Sequence, residues 1–358
     1  MRLVDDWAVM IGDEKTALGT RPRMRDVAAL AGVSMQTVSN FVHNRLDMMS
    51  VETRDRVARA MDDLRYTPNV AAASLRSQRT RTLAVLVLDE HAAFLADPLT
   101  DQLIAGLGDV ARDRGYALLI QGARPTNLSE DFLRPLRERR VDGAMLLLSG
   151  SRNVRRSQIE AATALGTALV VIDEVDVPDA LMSVRAEQER AAKALVSHLI
   201  ERGHRQIAFI GAKTPWAVIE QRVDGYKAAL IDAGIAVRTR SIFLEASYNA
   251  KDGERIAARL LGPGRVHTAL VCGSDLLAAG ALRAARDAGL SVPHDVAIAG
   301  FNDFEFAPYL DPPLTTVHIP AYEMGVRAAE MLIQTLNGSE LVQRSAVFSA
   351  DLCVRHST

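Results

Sequence analysis

The chain is short of several things, and each shortage excludes a class of protein. Its 358 residues hold two cysteines, Cys272 and Cys353, with no metal-ligand spacing around either. So few thiols rule out a disulfide framework and suggest a reducing compartment. No run approaches the ~18 apolar residues that a membrane helix requires. The N-terminus lacks the order of a secretory leader, because Asp5 and Asp6 precede the apolar WAVMI and Asp13 and Glu14 follow it. A cytoplasmic protein with a loose extension over residues 1–20 is the expectation. Enzyme signatures are missing too: no GxGxxG follows a strand, and there is no GxxxxGK[ST] and no GxSxG. His198 and His204 stand six apart, the wrong spacing for one helical face, and no clustered carboxylate or thiol supplies further ligands. Neither catalysis nor a bound metal or cofactor is expected.

What is present is unevenly distributed. The formal net charge of −2 hides a basic stretch between Thr20 and Arg81, where eleven Arg and no Lys face six acidic residues. That segment carries +5 and the remainder from Thr82 carries −5. A basic module joined to an acidic body suits a polyanion partner at one end only. The length itself predicts two or three folded units.

The basic end contains MRDVAALAGVSMQTVSNFVHN, Met24 to Asn44. Arg25 to Leu30 reads as a short helix with Val27, Leu30 and Ala31 inward. Gly32 can take the left-handed turn that most residues resist, Val33 is a buried plug, and Ser34 is a natural N-cap. Met35 to Val42 then forms a second helix with Val38 and Phe41 or Val42 inward and Met35, Gln36, Ser39 and Asn40 outward. Two short helices across a glycine turn make a helix-turn-helix, whose second helix fits the DNA major groove. Gln36 and Asn40 can each read an adenine edge through two hydrogen bonds. A third helix begins at Ser50, stripes Val57, Met61 and Leu64 along one face, and ends before Pro68. Asn69 to Thr82, NVAAASLRSQRTRT, is too short to hold a helix alone and reads as a segment that folds when paired or bound to DNA.

Past Thr82 the pattern changes to short continuous apolar runs: 83–88, 116–122, 143–149, 168–173, 206–211, 268–273 and 295–301. Amphipathic stretches such as TDQLIAGLGDVARDRG lie between most of them. This alternation predicts parallel sheets covered on both faces. A restart near Val184 predicts two doubly wound subdomains, with a ligand in the cleft at the carboxyl ends of the strands. Asp89, Ser149, Asp173, Glu174, Ser274, Asp275, Asn302 and Asp303 stand at those ends, each also readable as the cap of the following helix.

These residues together resemble one family. DVAALAGVSMQTVSNFV is close to the helix-turn-helix signature of the lactose/galactose repressor (LacI/GalR) family of bacterial transcription regulators. PNVAAASL resembles that family's hinge helix, and RVDG, HLIERGHRQIAFIG, QRVDGYKAAL, CGSDLLAAGAL, GLSVPHDVAIAGFND and PPLTTVHIP follow in family order. The resemblance covers nearly the whole chain from about Arg23. It implies a small all-α head over 21–66, a hinge helix and linker over 67–81, and a body over 82–358 with two parallel-sheet subdomains of periplasmic-binding-protein type. One subdomain is expected over about 82–180 and 318–338, the other over about 181–313 and 342–356.

The family's functional positions carry over by resemblance. Met35, Gln36 and Asn40 match the base-facing positions, with Asn40 in place of the commoner Arg, so a different operator base is implied. Ser34, Thr37, Ser39 and Asn44 match phosphate contacts. Asn69 and Ala72 belong to the hinge pattern, and Leu75 matches the leucine that wedges into the minor groove. Two such hinges imply a homodimer on a pseudo-palindromic operator in double-stranded DNA. Arg222 and Asp275 match recurrent effector-binding positions, Tyr248 an aromatic over the ligand, and Leu99, Thr100, Ser149 and Glu174 further lining. Asp97-Pro98 and Ser274 depart from the family's usual Asn-Pro and Asn. Arg222 stands without a Lys/Arg cluster, which favours a neutral sugar effector over a phosphorylated one; a purine- or nucleoside-sensing repressor is the alternative. A solute-binding transport protein would share the body but would be exported and lack the basic head. The chain ends at Thr358 with no heptad helix, so a coiled-coil tetramer is not expected.

Overall fold

The computed structural model describes residues 22–42, 45–67, 79–89, 94–124 and 132–358. The expected N-terminal extension, Asn44, and the hinge with Asn69, Ala72 and Leu75 lie outside them. The chain divides into two units, Met1–Gln78 and Arg79–Thr358.

The first unit is built from three short helices, α1 (Met24–Ala31), α2 (Met35–Val42) and α3 (Val51–Asp63). Gly32 ends α1 at φ 60°, and its N–H bonds back to Ala28 and Ala29, the left-handed stop for which glycine is suited. Ser34 Oγ accepts the Thr37 N–H at 3.1 Å and starts α2. Ser50 does the same for α3 through Thr53 at 3.2 Å. Val27, Ala28, Ala31, Val38, Val57 and Ala60 form the core, with Val33, Met61 and Leu64 packed on its edge. Leu30, expected inward, is 55% exposed; on an eight-residue helix the core takes one narrow stripe, and Val27, Ala28 and Ala31 fill it. Arg56 of α3 donates to the carbonyls of Ala31 at 2.6 Å and Gly32 at 2.9 Å. This long-range bond satisfies carbonyls that the end of α1 leaves open.

The second unit holds two parallel sheets. β1 (Thr82–Leu88), β2 (Ala117–Ala123), β3 (Gly143–Leu148), β4 (Ala168–Ile172), β5 (Met182–Ala186) and a late strand, Ser345–Phe348, form a six-stranded sheet. Within β1, Leu83, Val85 and Val87 face one apolar cluster while Ala84, Leu86 and Leu88 face another. That is why β1 shows no polar alternation: both faces are covered. The covering helices are α4 (Pro98–Asp113), α5 (Arg134–Arg137), α6 (Arg152–Thr163) and one late helix, Ala321–Leu336. α4 and the late helix cross so closely that a Cβ on Gly106 would lie 2.0 Å from the Tyr322 carbonyl oxygen.

The second sheet consists of β6 (Ile207–Ala212), β7 (Ile242–Ala246), β8 (Ala269–Cys272) and β9 (Ala297–Ala299), in the order β7-β6-β8-β9. Around it lie α7 (Gln188–Glu201), α8 (Ala217–Asp232), α9 (Ala250–Leu261) and α10 (Asp275–Asp287). Thr315 and the following β10 (Thr316–His318) bridge to Ala299 and Asn302 at the edge of this sheet. The late helix is α11 (Ala321–Leu336), the late strand β11 (Ser345–Phe348), and β12 (Asp351–Cys353) closes the chain against β10.

The division between subdomains needs correcting in two places. Met182–Ala186 pairs with β4, and Ser345–Phe348 pairs with β5, so both belong to the first sheet. The closing segment, SAVFSADLCVRH, holds two strands: β11 in the first sheet and β12 beside the second. The chain therefore crosses between subdomains three times, after Ala186, after His318 and after Phe348. Local periodicity cannot show this, because a strand reads alike whichever sheet receives it.

Candidate functional site

The outward face of α2 carries the groups a DNA reader uses. Met35 is 59% exposed and Gln36 is exposed, while Ser39 and Asn40 are half-buried. Gln36 Nε2 donates to Asn40 Oδ1 at 3.1 Å, one turn along the helix. The two amides are thus held side by side, with Gln36 Oε1 and the Asn40 amide group left out of that bond. Ser34 and Thr37 hydroxyls lie 2.9 Å apart at the N-terminus of the helix, where exposed N–H groups and the helix dipole favour a phosphate.

In the body, a cavity of about 250 Å³ opens between the carboxyl ends of the two sheets. Four predicted residues line it: Leu99, Thr100, Arg222 and Tyr248. Arg222, on α8, is 1% exposed. Its Nε donates to Gln188 Oε1 at 2.9 Å, Nη1 to the Gly273 carbonyl at 2.7 Å and Nη2 to Asn302 Oδ1 at 2.9 Å. The Phe301 ring lies 4.3 Å from its guanidinium carbon, a favourable place for a desolvated cation. Burial pulls the Arg222 pKa down, against Tyr248 and the carboxyls of Asp173, Asp275 and Asp97.

Three carboxyls share the cavity wall: Asp89 after β1, Asp97 at the cap of α4 and Asp173 after β4. Asp97 accepts the Leu99 N–H at 3.3 Å, but burial outweighs this and pushes its pKa up to about 6. Asp173 takes φ 57° and accepts the Ala186 N–H at 3.0 Å; burial likewise raises its pKa. Tyr248, after β7, has its phenol pushed well above the usual range by burial. Trp216, capping α8, supplies a second aromatic wall, with its indole Nε1 buried and unbonded among the described residues.

Three predicted residues are placed elsewhere. Asp275 is fully buried, accepting from Phe304 N at 2.8 Å and Thr316 Oγ1 at 2.5 Å. It packs so tightly under β9 that a Cβ on Gly300 would lie 2.2 Å from its Oδ1. Burial pushes its pKa up to about 7. Asn302, after the neighbouring strand, lines the cavity in its stead. Glu174 turns from the cavity to form an ion pair with Arg155 at 2.5 Å. Ser149 is fully buried in a bridge to Trp216 and lies outside the cavity lining. Of the residues the site adds, Asp89, Asp173 and Asn302 stood among the strand-end polar groups. Trp216 carried no sequence signal, since an apolar helix cap looks like any core residue.

A helix-turn-helix head on the same chain as a two-sheet body with a ligand-sized cavity defines a ligand-responsive, DNA-binding transcriptional regulator. Comparison with known proteins agrees. Residues 23–69 match the bacterial regulatory proteins, lacI family, and residues 196–358 match the periplasmic binding protein-like domain. The chain is 33% identical over 340 residues to the transcriptional regulator RegA of Clostridium saccharobutylicum, covering 94% of this chain and 98% of that one. It is 32% identical to the transcriptional repressor CytR of Escherichia coli K12, covering 95% and 97%. Among solved structures, the lac repressor dimer bound to operator and the anti-inducer ONPF superposes with a TM-score of 0.82 at 26% identity, covering 94% and 99%. The chain belongs to the LacI family of bacterial transcription regulators, and it is a regulator rather than an enzyme. Among the described residues no helix is long and apolar enough to cross a membrane.

Proposed function

We propose that the protein is a cytoplasmic homodimeric repressor that binds a pseudo-palindromic operator and is switched by a neutral carbohydrate in the cavity between its subdomains. The observation carrying the effector class is the cavity wall: three carboxyls and two aromatic rings around a guanidinium already bonded to Gln188, Gly273 and Asn302. Carboxylates accept hydroxyl hydrogen bonds, and aromatic faces cover the apolar side of a sugar ring. The same wall repels a phosphate or carboxylate ligand. Trp216 and Tyr248 also suit a flat base, which keeps a nucleoside as the second reading. No cofactor enters this scheme.

The switch is a shift between two arrangements of the subdomains, moved by the effector's differential affinity for them. Gln36 and Asn40 supply base readout, Ser34, Thr37, Ser39 and Asn44 phosphate contacts, and the hinge residues Asn69, Ala72 and Leu75 the minor-groove contact. The test is fluorescence anisotropy on DNA from upstream of the gene, over a salt series, with panels of sugars and nucleosides. One tight site with a steep salt slope, shifted by one sugar, supports the reading; a shift by nucleosides alone replaces the effector class. Equal weak binding to all DNA, insensitive to every compound, would overturn it. Leu75→Ala binding the operator as tightly as wild type would remove the wedge alone.

A further inference from the structure

The cavity between the subdomains is not the sole pocket with unmatched charge. At the opposite end of the second sheet, three loops enter β6, β7 and β8, carrying Arg205, the run Arg238 to Ser241, and His267. They enclose a pocket of about 490 Å³ lined by Gln206, Arg238, Arg240, Ser241, Val266 and His267. An adjoining hollow shares Gln206, Arg238 and Ser241 and adds Arg205. No carboxylate lines either.

Elsewhere on this subdomain several guanidiniums are matched: Arg259 with Glu245, Arg283 with Asp287, and Arg265 of the neighbouring loop with Asp295. Arg238 and Arg240 make no ion pair with any described residue, and Arg205 donates to the Ile200 carbonyl. His267 is 8% exposed and Ser241 7%, with Ser241 Oγ 3.3 Å from His267 Nε2. Burial, and after it the charge of Arg240, lowers the His267 pKa. The volume falls within the ~300–1,000 Å³ of small-molecule sites, more room than a bare ion needs.

We propose that this pocket is a second ligand site, separate from the effector cavity, that takes the phosphate monoester of a small metabolite. Arg238 and Arg240 would fork onto the phosphate oxygens, with Ser241 and Gln206 as neutral donors and Val266 against the carbon skeleton.

The experiment is isothermal titration calorimetry of the full-length protein with glucose 6-phosphate, and separately with inorganic phosphate, at constant ionic strength. Saturable binding tighter than about 1 mM is expected, corresponding to about 4 kcal/mol. The exposed double substitution Arg238→Gln with Arg240→Gln should weaken it about tenfold or more, while Tyr248→Ala in the effector cavity leaves it unchanged. Inorganic phosphate binding as tightly as the sugar phosphate would support the anion site and confine recognition to the phosphate group. No saturation by either ligand would overturn the proposal. So would binding lost in Tyr248→Ala but kept in the double variant, since the ligand would then sit in the effector cavity. The sugar and operator readings stand or fall separately, by their own DNA titrations.

Discussion

Arg155 of α6, in the first subdomain, grips Glu220 of α8, in the second, through both ends of its guanidinium. Nη1 and Nη2 donate to the two carboxylate oxygens at 3.2 and 2.8 Å. Arg155 is 2% exposed, forms an ion pair with Glu174 at 2.5 Å and donates to the Gly150 carbonyl at 2.6 Å. Beside it the Gly150 N–H reaches the Pro215 carbonyl at 2.8 Å, and Ser149 bridges to Trp216. The subdomains are therefore latched along one edge, and any opening there must break a charge-assisted pair.

Removing Arg155 leaves Glu174 buried without its cation, the expensive way to break a buried pair. Arg155→Ala should cost about 3–5 kcal/mol of body stability. Glu220 is 44% exposed on its side-chain surface, so Glu220→Gln should cost only about 1 kcal/mol. The second variant is the informative one, because it frees the latch without stranding a charge. It should shift the effector concentration needed to change operator affinity while the protein stays folded. Denaturation curves and operator titrations read the two effects; an unchanged effector response in Glu220→Gln would remove the latch from the switch.

Arg222 makes three hydrogen bonds to three separate chain segments. Arg222→Lys keeps the charge but cannot span Gln188, Gly273 and Asn302 together. Effector affinity should fall about tenfold or more, equivalent to about 1.4 kcal/mol, with a lowered melting temperature. Calorimetry with the identified effector measures the first and thermal unfolding the second.

Burial pushes the Asp97 pKa up to about 6. If it accepts a ligand hydroxyl as a carboxylate, binding favours the ionised form, so affinity is full above about pH 6 and declines below it. Asp97→Asn should flatten that profile. An affinity that rises on acidification would show that the protonated acid is the bound form.

Asp275 gives the pH dependence of stability. Its folded pKa of about 7 lies above the ordinary aspartate value of 3.8, so the folded body holds this proton more tightly than the unfolded chain. Its stabilising contribution is complete below about pH 4 and is lost as pH rises through about 7, at no more than about 1.4 kcal/mol per pH unit. Asp275→Asn, neutral at every pH, should reduce that slope in melting temperatures taken between pH 5 and 8.

Gln36→Ala should weaken operator binding by about 1–3 kcal/mol and relax preference at one base step. Thr37→Ala should weaken all sequences alike. A competition series over single-base operator variants separates the two.

Most of what rests on local periodicity and local chemistry is legible in the residues alone, with Leu30 the exception. Helix caps at Ser34 and Ser50, the glycine stop at Gly32 and the stripe through Val57 define the head, because each acts within four residues. Seven of the strands are legible as apolar runs; in six of them burial on both faces removes polar alternation, while β2, at the sheet edge, is partly exposed. The placement of charge in the head likewise needs no structure. Tertiary structure decided what depends on convergence of distant segments. Met182–Ala186 and Ser345–Phe348 joined the first sheet rather than the second, which no local pattern encodes. Asp275 and Asn302 sit at neighbouring strand ends with equally suitable side chains, yet the close approach of Gly300 buries the first and leaves the second in the cavity. Glu174 looked like cavity lining until Arg155, nineteen residues earlier, claimed it. A side chain's residue type sets which partners it accepts, and only the packed fold sets which of them is within reach.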